Sequence, residues 1–398
     1  MIEFSPLQQE YWNRATHRWN IKQGATRSGK TYLDYFMIPK RIRATKGNGL
    51  ILLLGNTKST LERNILEPMR NIWTSALVGN ISSNNTVNLF GKRCYALGAD
   101  KISQTSKIQG AGIEYCYGDE MTTWNEEVFQ MLKSRLSAPN SCCDGTCNPD
   151  SPNHFIKKFL DSDADIFQQR YTIYDNPFLP SSFVKNLEKE YAGTVFFERY
   201  ILGLWALAEG LVYPMFDVDK HTVSTVPGGG LYYISIDYGT VNPFSMGLWC
   251  IQGKVAVRVC EYYYDSKKNN KQKTDEEYYR DLEKMAKGKL IQSVVVDPSA
   301  ASFIECVRRH GRFTVREANN AVLDGIRNTA TMLNVGMLKI HESCEDSIRE
   351  FRSYSWDEKA GEDKVIKEND HAMDDIRYFV QTIMRPNYRM EEWGNGGV

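Results

Sequence analysis

An eight-residue segment near the start of the chain constrains the fold more than any other feature of the sequence. It satisfies the pattern G-x-x-x-x-G-K-[ST] at every fixed position, and glycines there let backbone N–H groups close around phosphate oxygens. Its residues are Gly24, Ala25, Thr26, Arg27, Ser28, Gly29, Lys30 and Thr31. Strand-like residues 19–21 precede it and a helical pattern follows, which disfavours a chance match in a glycine-rich turn. The segment predicts a P-loop in which an exposed Lys30 contacts the β- and γ-phosphates and Thr31 ligates Mg²⁺.

Two carboxylates follow the apolar stretch 113–118, which is predicted to be a buried strand. Asp119, at the end of that strand, is placed to hold the Mg²⁺ shell, and Glu120 is placed to polarise the attacking water. Taken alone, the pattern is more typical of an ordinary strand followed by an exposed acidic turn. The upstream P-loop reverses that preference, and the two motifs together predict ATP hydrolysis.

Three further residues are candidates for contact with the nucleotide. Arg27 lies inside the P-loop, where a guanidinium neutralises charge on the γ-phosphate, although a solvated loop arginine fits equally well. The amide of Gln8 suits an adenine edge, and an exposed helix start is the alternative interpretation. Asn148 follows a third strand-like stretch within residues 139–153, which are dense in turn formers. It is either a sensor of the γ-phosphate or an ordinary turn residue.

The second half of the chain carries aspartates at positions that suit metal binding. Asp237 and Asp297 each end an apolar strand-like run, and Asp374 lies in a helical stretch that also holds Asp370 and Asp375. A charge at such a strand position is costly unless it is paired or bound to metal. Singly, each is more often a turn residue or an N-cap. Together, two strand ends and one helix favour two-metal phosphodiester cleavage with Mg²⁺ or Mn²⁺.

The order of predicted elements divides the 398 residues into two α/β domains. Residues 1–173 alternate apolar runs with helical patterns, as in a P-loop ATPase domain with a mostly parallel sheet. Residues 174–216 are predicted to be a linker subdomain. Residues 217–390 hold three closely spaced strands and then helix, strand, helix, strand and helix, which is the order of an RNase H-like fold. Residues 391–398 form a tail.

Composition and charge narrow the class of protein. Apolar residues make up 42% and charged residues 25% of the chain, as in soluble globular proteins. Nine unevenly spaced cysteines do not indicate a disulfide framework, and neither a signal peptide nor a bilayer-spanning apolar run is visible. We therefore expect a cytoplasmic protein without membrane contact. The net charge is zero, but residues 1–110 hold 16 lysines and arginines against 6 aspartates and glutamates, which favours a polyanionic partner.

Seven segments resemble, in their order and spacing, the large terminase subunits of tailed bacteriophages. They are FSPLQQEY, GATRSGKT, YGDE, TCNPDSPNHF, ISIDYGT, VVVDPSA and ENDHAMDDIRY. The resemblance implies an ASCE-type ATPase joined to an RNase H-like nuclease, which moves double-stranded viral DNA into a procapsid and cuts concatemeric DNA. It also implies a portal protein and a small terminase subunit as partners. The chain would be a monomer in free solution and a homo-oligomeric ring when packaging, in the host cytoplasm and transiently docked on the portal.

By position, the resemblance assigns roles to individual residues. Its nucleotide-site residues are Lys30 and Thr31 for phosphate and Mg²⁺, Asp119 for Mg²⁺, Glu120 as catalytic base, Arg27 as the P-loop arginine and Asn148 in a coupling motif. Its nuclease metal ligands are Asp237, Asp297 and Asp374. Relatives usually carry a small apolar residue where this chain has Asp375. The choice of third ligand among Asp370, Asp374 and Asp375 therefore stays open at this point.

Two other functions fit parts of the sequence. A host-type helicase-nuclease or DNA repair translocase would combine the same two chemistries, but it would carry helicase motifs after Glu120, and none is visible. A nonenzymatic capsid or portal component with vestigial motifs is the other alternative.

Overall fold

Each half of the chain builds one seven-stranded sheet, as the alternation of apolar runs and helical patterns predicts. The computed structural model describes residues 3–104, 110, 112–226, 228–240 and 242–386, so the predicted tail 391–398 lies outside the described residues. Unit 1 comprises the chain up to Lys185 together with Val195–Leu207. Unit 2 comprises Asn186–Thr194 and the chain from Ala208 onward. Among the described residues, no helix has the length and apolar character that crossing a bilayer requires.

The sheet of unit 1 is almost entirely parallel. Its strands are β1 (Trp19–Gly24), β2 (Leu50–Gly55), β3 (Thr86–Leu89), β4 (Lys92–Gly98), β5 (Ile113–Gly118), β6 (Cys142–Cys147) and β7 (Ile166–Tyr171). They lie in the order β3-β4-β2-β5-β6-β1-β7, and only β3 is antiparallel to its neighbour. The inner strands are buried along nearly their whole length, which explains their continuous apolar runs.

Strand β6 lies near the centre of this sheet although residues 139–153 are rich in turn formers. Asp144 is tolerated within the strand because Arg41 donates to it from Nε at 2.8 Å. Gly145 leaves space for Met121, whose Sδ would lie 2.4 Å from a Cβ added to the glycine. The strand-like stretch predicted before Asn148 is therefore a central strand, and long-range contacts stabilise it in a segment rich in turn formers.

Helices cover both faces of the unit 1 sheet. Among the described residues, the helices of this unit are Pro6–Arg14, Lys30–Ala44, Lys58–Leu61, Glu67–Trp73, Glu126–Arg135, Phe155–Leu160 and Val195–Tyr200. A π-helical turn, Glu62–Leu66, joins the third and fourth of these, and the fourth ends at Trp73. The helix Ser181–Tyr191, which has no buried residue, begins in unit 1 and ends in unit 2. The core of the described residues holds apolar clusters around Trp19, around Leu53 and around Tyr11.

The sheet of unit 2 is mixed. Its strands are β8 (Thr222–Val223), β9 (Leu231–Asp237), β10 (Phe244–Gln252), β11 (Val255–Tyr264), β12 (Ile291–Val296), β13 (Val315–Glu317) and β14 (Leu338–His341). They lie in the order β13-β12-β9-β10-β11-β14-β8. The meander β9-β10-β11 is antiparallel, and β12 pairs parallel with β9. This is the RNase H-like order that the sequence predicts.

The helices of unit 2 follow the predicted alternation with the later strands. They are Val218–His221, Asp275–Met285, Ala301–His310, Val322–Asn334, Glu345–Phe351 and His371–Phe379, and a π-helical turn, Val380–Met384, continues the last of them. One apolar cluster, around Phe244 and Phe303, packs the helices Asp275–Met285 and Ala301–His310 against the sheet.

Candidate functional site

The P-loop is a tight turn between β1 and the helix Lys30–Ala44. Gly24 has a φ of 140°, and a Cβ on it would lie 2.0 Å from the carbonyl oxygen of Tyr171. Gly203 also packs closely against this part of the loop, since a Cβ added to Gly203 would lie 2.9 Å from the Cα of Gly24. Gly29 caps the helix with a φ of 86°, in the left-handed region that favours glycine. The loop has the strand–turn–helix context that the motif predicts.

Lys30 lies inside the P-loop, so the prediction of an exposed lysine is wrong. Its side chain is buried, and its Nζ donates to the carbonyl oxygens of Gly24 at 2.9 Å and Ala25 at 2.5 Å. Further acceptors are Ser28 Oγ at 3.3 Å and Asn148 Oδ1 at 3.1 Å. Burial lowers the pKa of Lys30 to about 8. The loop folds around the ammonium group because its carbonyls replace the water that burial removes.

Asp119 and Glu120 follow the end of β5, as predicted. Asp119 is buried, and its carboxylate accepts hydrogen bonds from Thr146 Oγ1 at 3.2 Å and Tyr117 Oη at 3.4 Å. Burial, together with the neighbouring Glu120, raises the pKa of Asp119 to about 7. Glu120 is half-buried with a φ of 49°, and its N–H donates to Thr146 Oγ1 at 3.2 Å. Carboxylate oxygens of this kind suit Mg²⁺.

The other nucleotide-site candidates differ in their surroundings. Thr31 is half-buried in the first turn of its helix, whereas Arg27 is exposed, with a φ of 56°. Asn148 follows β6 and, besides accepting from Lys30, accepts at its carbonyl oxygen from Thr122 Oγ1 at 3.0 Å. Asn148 therefore connects the P-loop lysine to the segment that follows Glu120.

Gln8 is buried, so the alternative of an exposed helix start is wrong. Its Oε1 accepts from the N–H of Ser5 at 2.8 Å, which forms a capping box with the Ser5 hydroxyl. Its Nε2 donates to the carbonyl oxygen of Gly29 at 2.9 Å. The contact of Gln8 is thus with the P-loop backbone, and binding of adenine stays a prediction.

Sequence reasoning missed an ionic network beneath the P-loop. Lys22 on β1 donates to Asp34 at 2.7 Å, and both side chains are fully buried. Tyr117 bonds to Asp34 Oδ2 at 3.3 Å as well as to Asp119. Burial raises the pKa of Asp34 to about 6. The sequence signal was Lys22, a charged residue directly after the strand-like residues 19–21, which requires a partner where the strand continues.

The nuclease candidates of unit 2 meet at one edge of the sheet. Asp237 ends β9 and Asp297 directly follows β12, and the parallel register Ile236↔Val296 places the two aspartates side by side. Tyr378, on the helix that carries Asp374, donates to Asp297 Oδ2 at 2.7 Å and contacts Asp237 Oδ1 at 3.4 Å. Sequence reasoning missed this tyrosine, whose role depends on the packing of the helix against the sheet.

A pocket of about 370 Å³ opens beside these aspartates. Its lining includes Asp237, Asp370 and Asp374, together with His371 and Lys367. His371 Nδ1 lies 2.9 Å from Asp237 Oδ2, and Lys367 Nζ lies 3.1 Å from Asp370 and 3.2 Å from Asp374. Burial raises the pKa of Asp237 to about 6. Clustered carboxylate oxygens are the donors that Mg²⁺ and Mn²⁺ prefer, so the residues fit these ions.

Asp375 points away from this pocket and is fully buried. Its carboxylate accepts from Ser235 Oγ at 2.9 Å, from Arg258 Nη2 at 2.9 Å and from Ser245. The guanidinium of Arg258 needs a glycine at 247, because a Cβ there would lie 2.0 Å from Nη1. Of the three aspartates that the sequence left open, Asp370 and Asp374 line the pocket and Asp375 does not.

Comparisons with known proteins match both halves of the chain. The family model for the terminase large subunit, T4likevirus-type, N-terminal, matches residues 23–220, and the model for the terminase RNaseH-like domain matches residues 234–382. The large terminase subunit of Escherichia phage T5 is 21% identical over 312 residues, which cover 71% of this chain and 68% of the T5 protein.

Solved structures extend the similarity to nearly the full length. The large terminase of a thermophilic bacteriophage, solved in complex with ADP, is 38% identical, with a TM-score of 0.85, and the match covers 96% of this chain and 100% of that chain. The complex of the same thermophilic-phage terminase with ATP-gamma-S gives the same values. These matches displace the helicase-nuclease alternative. The chain belongs to the family of phage large terminase subunits, which drive the packaging of viral DNA and cut it.

Proposed function

We propose that this chain hydrolyses ATP with the P-loop of unit 1 and cuts DNA with the aspartate cluster of unit 2. The observation that carries the first activity is the position of Lys30, whose ammonium group lies between P-loop carbonyls and Asn148. The thermophilic-phage large terminase, which shares this fold, has been solved in complex with ADP and with ATP-gamma-S. A purine nucleoside triphosphate is therefore the proposed substrate.

In the ATPase site, Lys30 exchanges its carbonyl partners for the β- and γ-phosphates of ATP. Thr31 and Asp119 would hold Mg²⁺, which neutralises phosphate charge when it is bound. Glu120 orients the attacking water and accepts its proton, and Arg27 stabilises charge on the γ-phosphate. Gln8 holds the loop in place through the hydrogen bond from its Nε2 to the carbonyl oxygen of Gly29. The backbone N–H groups of the loop donate to the phosphates.

Asn148 is the proposed link between phosphate and the rest of unit 1. When Lys30 turns toward phosphate, the bond from its Nζ to Asn148 Oδ1 changes. Because Thr122 donates to the carbonyl of Asn148, the change reaches the segment after Glu120. The state of the γ-phosphate is thereby communicated beyond the P-loop.

In the nuclease site, Asp237, Asp297 and Asp374 would hold Mg²⁺ or Mn²⁺. Such ions activate a water and stabilise the leaving oxygen of a phosphodiester. His371 and Tyr378 orient the carboxylates of Asp237 and Asp297 through the contacts described above. Asp370 lines the same pocket and shares Lys367 with Asp374.

The family suggests where the two activities act. We propose an ATPase domain at residues 1–173, a linker at 174–216 and a nuclease domain at 217–390. The partners are double-stranded DNA, a portal protein, a small terminase subunit and further copies of the chain in a ring. The chain would work in the host cytoplasm, docked on the portal during packaging.

The two activities are separable in this proposal. Lys30→Ala should abolish ATP turnover and spare cleavage of plasmid DNA, whereas Asp237→Ala should abolish cleavage and spare ATP turnover. Lys46→Ala, which removes an exposed lysine of the same unit, serves as the control. ATP turnover is measured with and without duplex DNA. Near-normal hydrolysis by a folded Lys30→Ala protein, or cleavage by Asp237→Ala, would contradict the respective assignment.

A further inference from the structure

Three different metal-ligating side chains converge on the helical face of unit 2. They are Glu276 on the helix Asp275–Met285, and Cys306 and His310 on the helix Ala301–His310. One ligand atom from each lies within 4.8 Å of the other two. The Sγ of Cys306 is 3.5 Å from Glu276 Oε1, and the Nε2 of His310 is 2.9 Å from Glu276 Oε2.

The surrounding structure fixes two of the three groups. Cys306 is buried in the apolar layer between helix and sheet. The His310 ring stacks on Tyr279, with centroids 3.7 Å apart and planes 7° from parallel, which turns its Nε2 edge toward Glu276. Cys306 and His310 are four residues apart on one helix, so they project from the same face.

We propose that Glu276, Cys306 and His310 form a zinc-binding site. Thiolate, imidazole and carboxylate are the ligand types that Zn²⁺ takes in proteins, and the thiolate disfavours Mg²⁺ and Ca²⁺. Zn²⁺ bonds of about 2.0–2.3 Å in tetrahedral geometry put ligand atoms about 3.3–3.7 Å apart. Here Cys306 Sγ and His310 Nε2 lie 3.5 Å and 2.9 Å from the two oxygens of Glu276, and the three groups stay within 4.8 Å of one another, so small side-chain rotations would complete the geometry. Glu276 and His310 are exposed, so water completes the coordination.

Metal binding replaces a proton at this site. In the metal-free protein, burial and the nearby Glu276 raise the pKa of the Cys306 thiol to about 11, and the thiol donates to Glu276. Zn²⁺ binding would displace the thiol proton to solvent and would require His310 with an unprotonated Nε2, with no change of oxidation state.

The site would connect two helices that both contact Tyr238, a residue of the nuclease-pocket lining. Asp275, next to Glu276, accepts a hydrogen bond from Tyr238, and Tyr238 lines the pocket directly after Asp237. The Tyr238 ring also stacks on Phe303, from the helix that carries Cys306. Zinc binding should therefore raise the thermal stability of unit 2.

The test is a Co²⁺ titration of the full chain after removal of metals with EDTA. Co²⁺ replaces Zn²⁺ in such sites, and a thiolate ligand gives a sulfur-to-cobalt charge-transfer absorption that carboxylate sites lack. We expect this band to saturate at one equivalent and to disappear on addition of Zn²⁺. His310→Gln and Glu276→Gln should each weaken Co²⁺ binding by about tenfold or more.

Two controls locate the site. Cys260→Ser, at a half-buried cysteine of β11, should leave the band unchanged, as should Asp237→Ala in the nuclease pocket. Cys306→Ser should remove it, with folding checked by circular dichroism. Absence of the band in the wild-type protein, or a band that His310→Gln and Glu276→Gln leave unchanged, would overturn the proposal.

Discussion

Arg258 and Asp375 form an ion pair from which solvent is entirely excluded. Arg258 extends from β11, and Asp375 lies on the helix that also carries Asp374. The carboxylate of Asp375 is further held by Ser235 on β9 and Ser245 on β10. The pair therefore fastens this helix to three strands at once. The pair thereby fixes the position of the helix on the sheet and its rotation about its own axis, and so the position of Asp374 in the pocket.

Breaking this pair should destabilise unit 2. Arg258→Met leaves the Asp375 charge buried without its main partner, which typically costs about 3–5 kcal/mol. Thermal and urea unfolding of the full chain, followed by near-UV circular dichroism, measures the loss. Arg308→Met removes an arginine from the exposed pair with Glu317 and should change stability by less than about 1 kcal/mol. The double variant Arg258→Met/Asp375→Leu should recover most of the loss, and equal stability of the single variant and wild type would contradict the prediction.

Asp374 and Asp375 are neighbours in sequence, but their substitutions should have different effects. Asp374→Asn should abolish DNA cleavage, because this side chain lines the pocket, and it should also lower stability, since the nearly buried Arg377 loses its carboxylate partner at 2.8 Å. Asp375→Asn should lower stability and reduce cleavage only as far as the helix shifts. Cleavage of plasmid DNA with Mg²⁺ or Mn²⁺, measured below each variant's melting temperature, separates the two. Asp324→Asn, on an exposed helical turn, is the control, and full cleavage by Asp374→Asn would exclude this residue as a ligand.

Glu120→Gln should bind ATP normally and hydrolyse it slowly. Only the proton acceptor is lost, so turnover should fall by about 10²–10⁴. Fluorescent-nucleotide binding and phosphate release are measured on the same preparation. Glu127→Gln, at an exposed position in the next helix, should match wild type. Loss of nucleotide binding together with turnover would show that Glu120 has a structural role.

Asn148→Ala should weaken the response of the ATPase to DNA more than it weakens ATP binding. The variant removes a hydrogen-bond acceptor of the charged Lys30. A hydrogen bond to a charged group is typically worth about 1.5–3 kcal/mol, which corresponds to a change of roughly 10- to 150-fold in rate. Turnover is compared with and without duplex DNA, and nucleotide affinity is measured separately. An equal loss of turnover with and without DNA would show that Asn148 contributes to hydrolysis itself and not to the response to DNA.

DNA binding by the full chain should weaken steeply with salt. Residues 1–110 carry the basic excess, and neutralising even three phosphates gives a loss of about 40-fold between about 50 and 200 mM salt. Fluorescence anisotropy with a labelled duplex measures the slope. An affinity that stays constant over this range of salt would exclude DNA binding through contacts with the phosphates.

Prediction from sequence succeeded for adjacent motif residues and for aspartates at strand ends, and it failed for partners that come together only when helices pack against the sheet. The P-loop and Asp119 were found because a few adjacent residues specify the turn, the strand end and the charge. The partners of Lys22 and Asp375 were not found, since Asp34 and Arg258 come close only after helix and sheet pack together. The burial of Lys30 was missed for a different reason, because its main partners are nearby backbone carbonyls, which leave no signal in the pattern of side chains.

The crowding of Gly24 against Gly203 limits how freely this sequence can vary. A side chain at position 203 would meet the carbonyl oxygen of Tyr171 at 2.3 Å and the N–H nitrogen of Ala25 at 3.0 Å. Gly203 also has a φ of 66°, in the left-handed region that favours glycine. Both the crowding and the backbone conformation therefore disfavour any other residue at this position. A mutational scan scored by ATP turnover should therefore find an intolerant position far along the chain from the phosphate loop, in a segment without any recognisable motif.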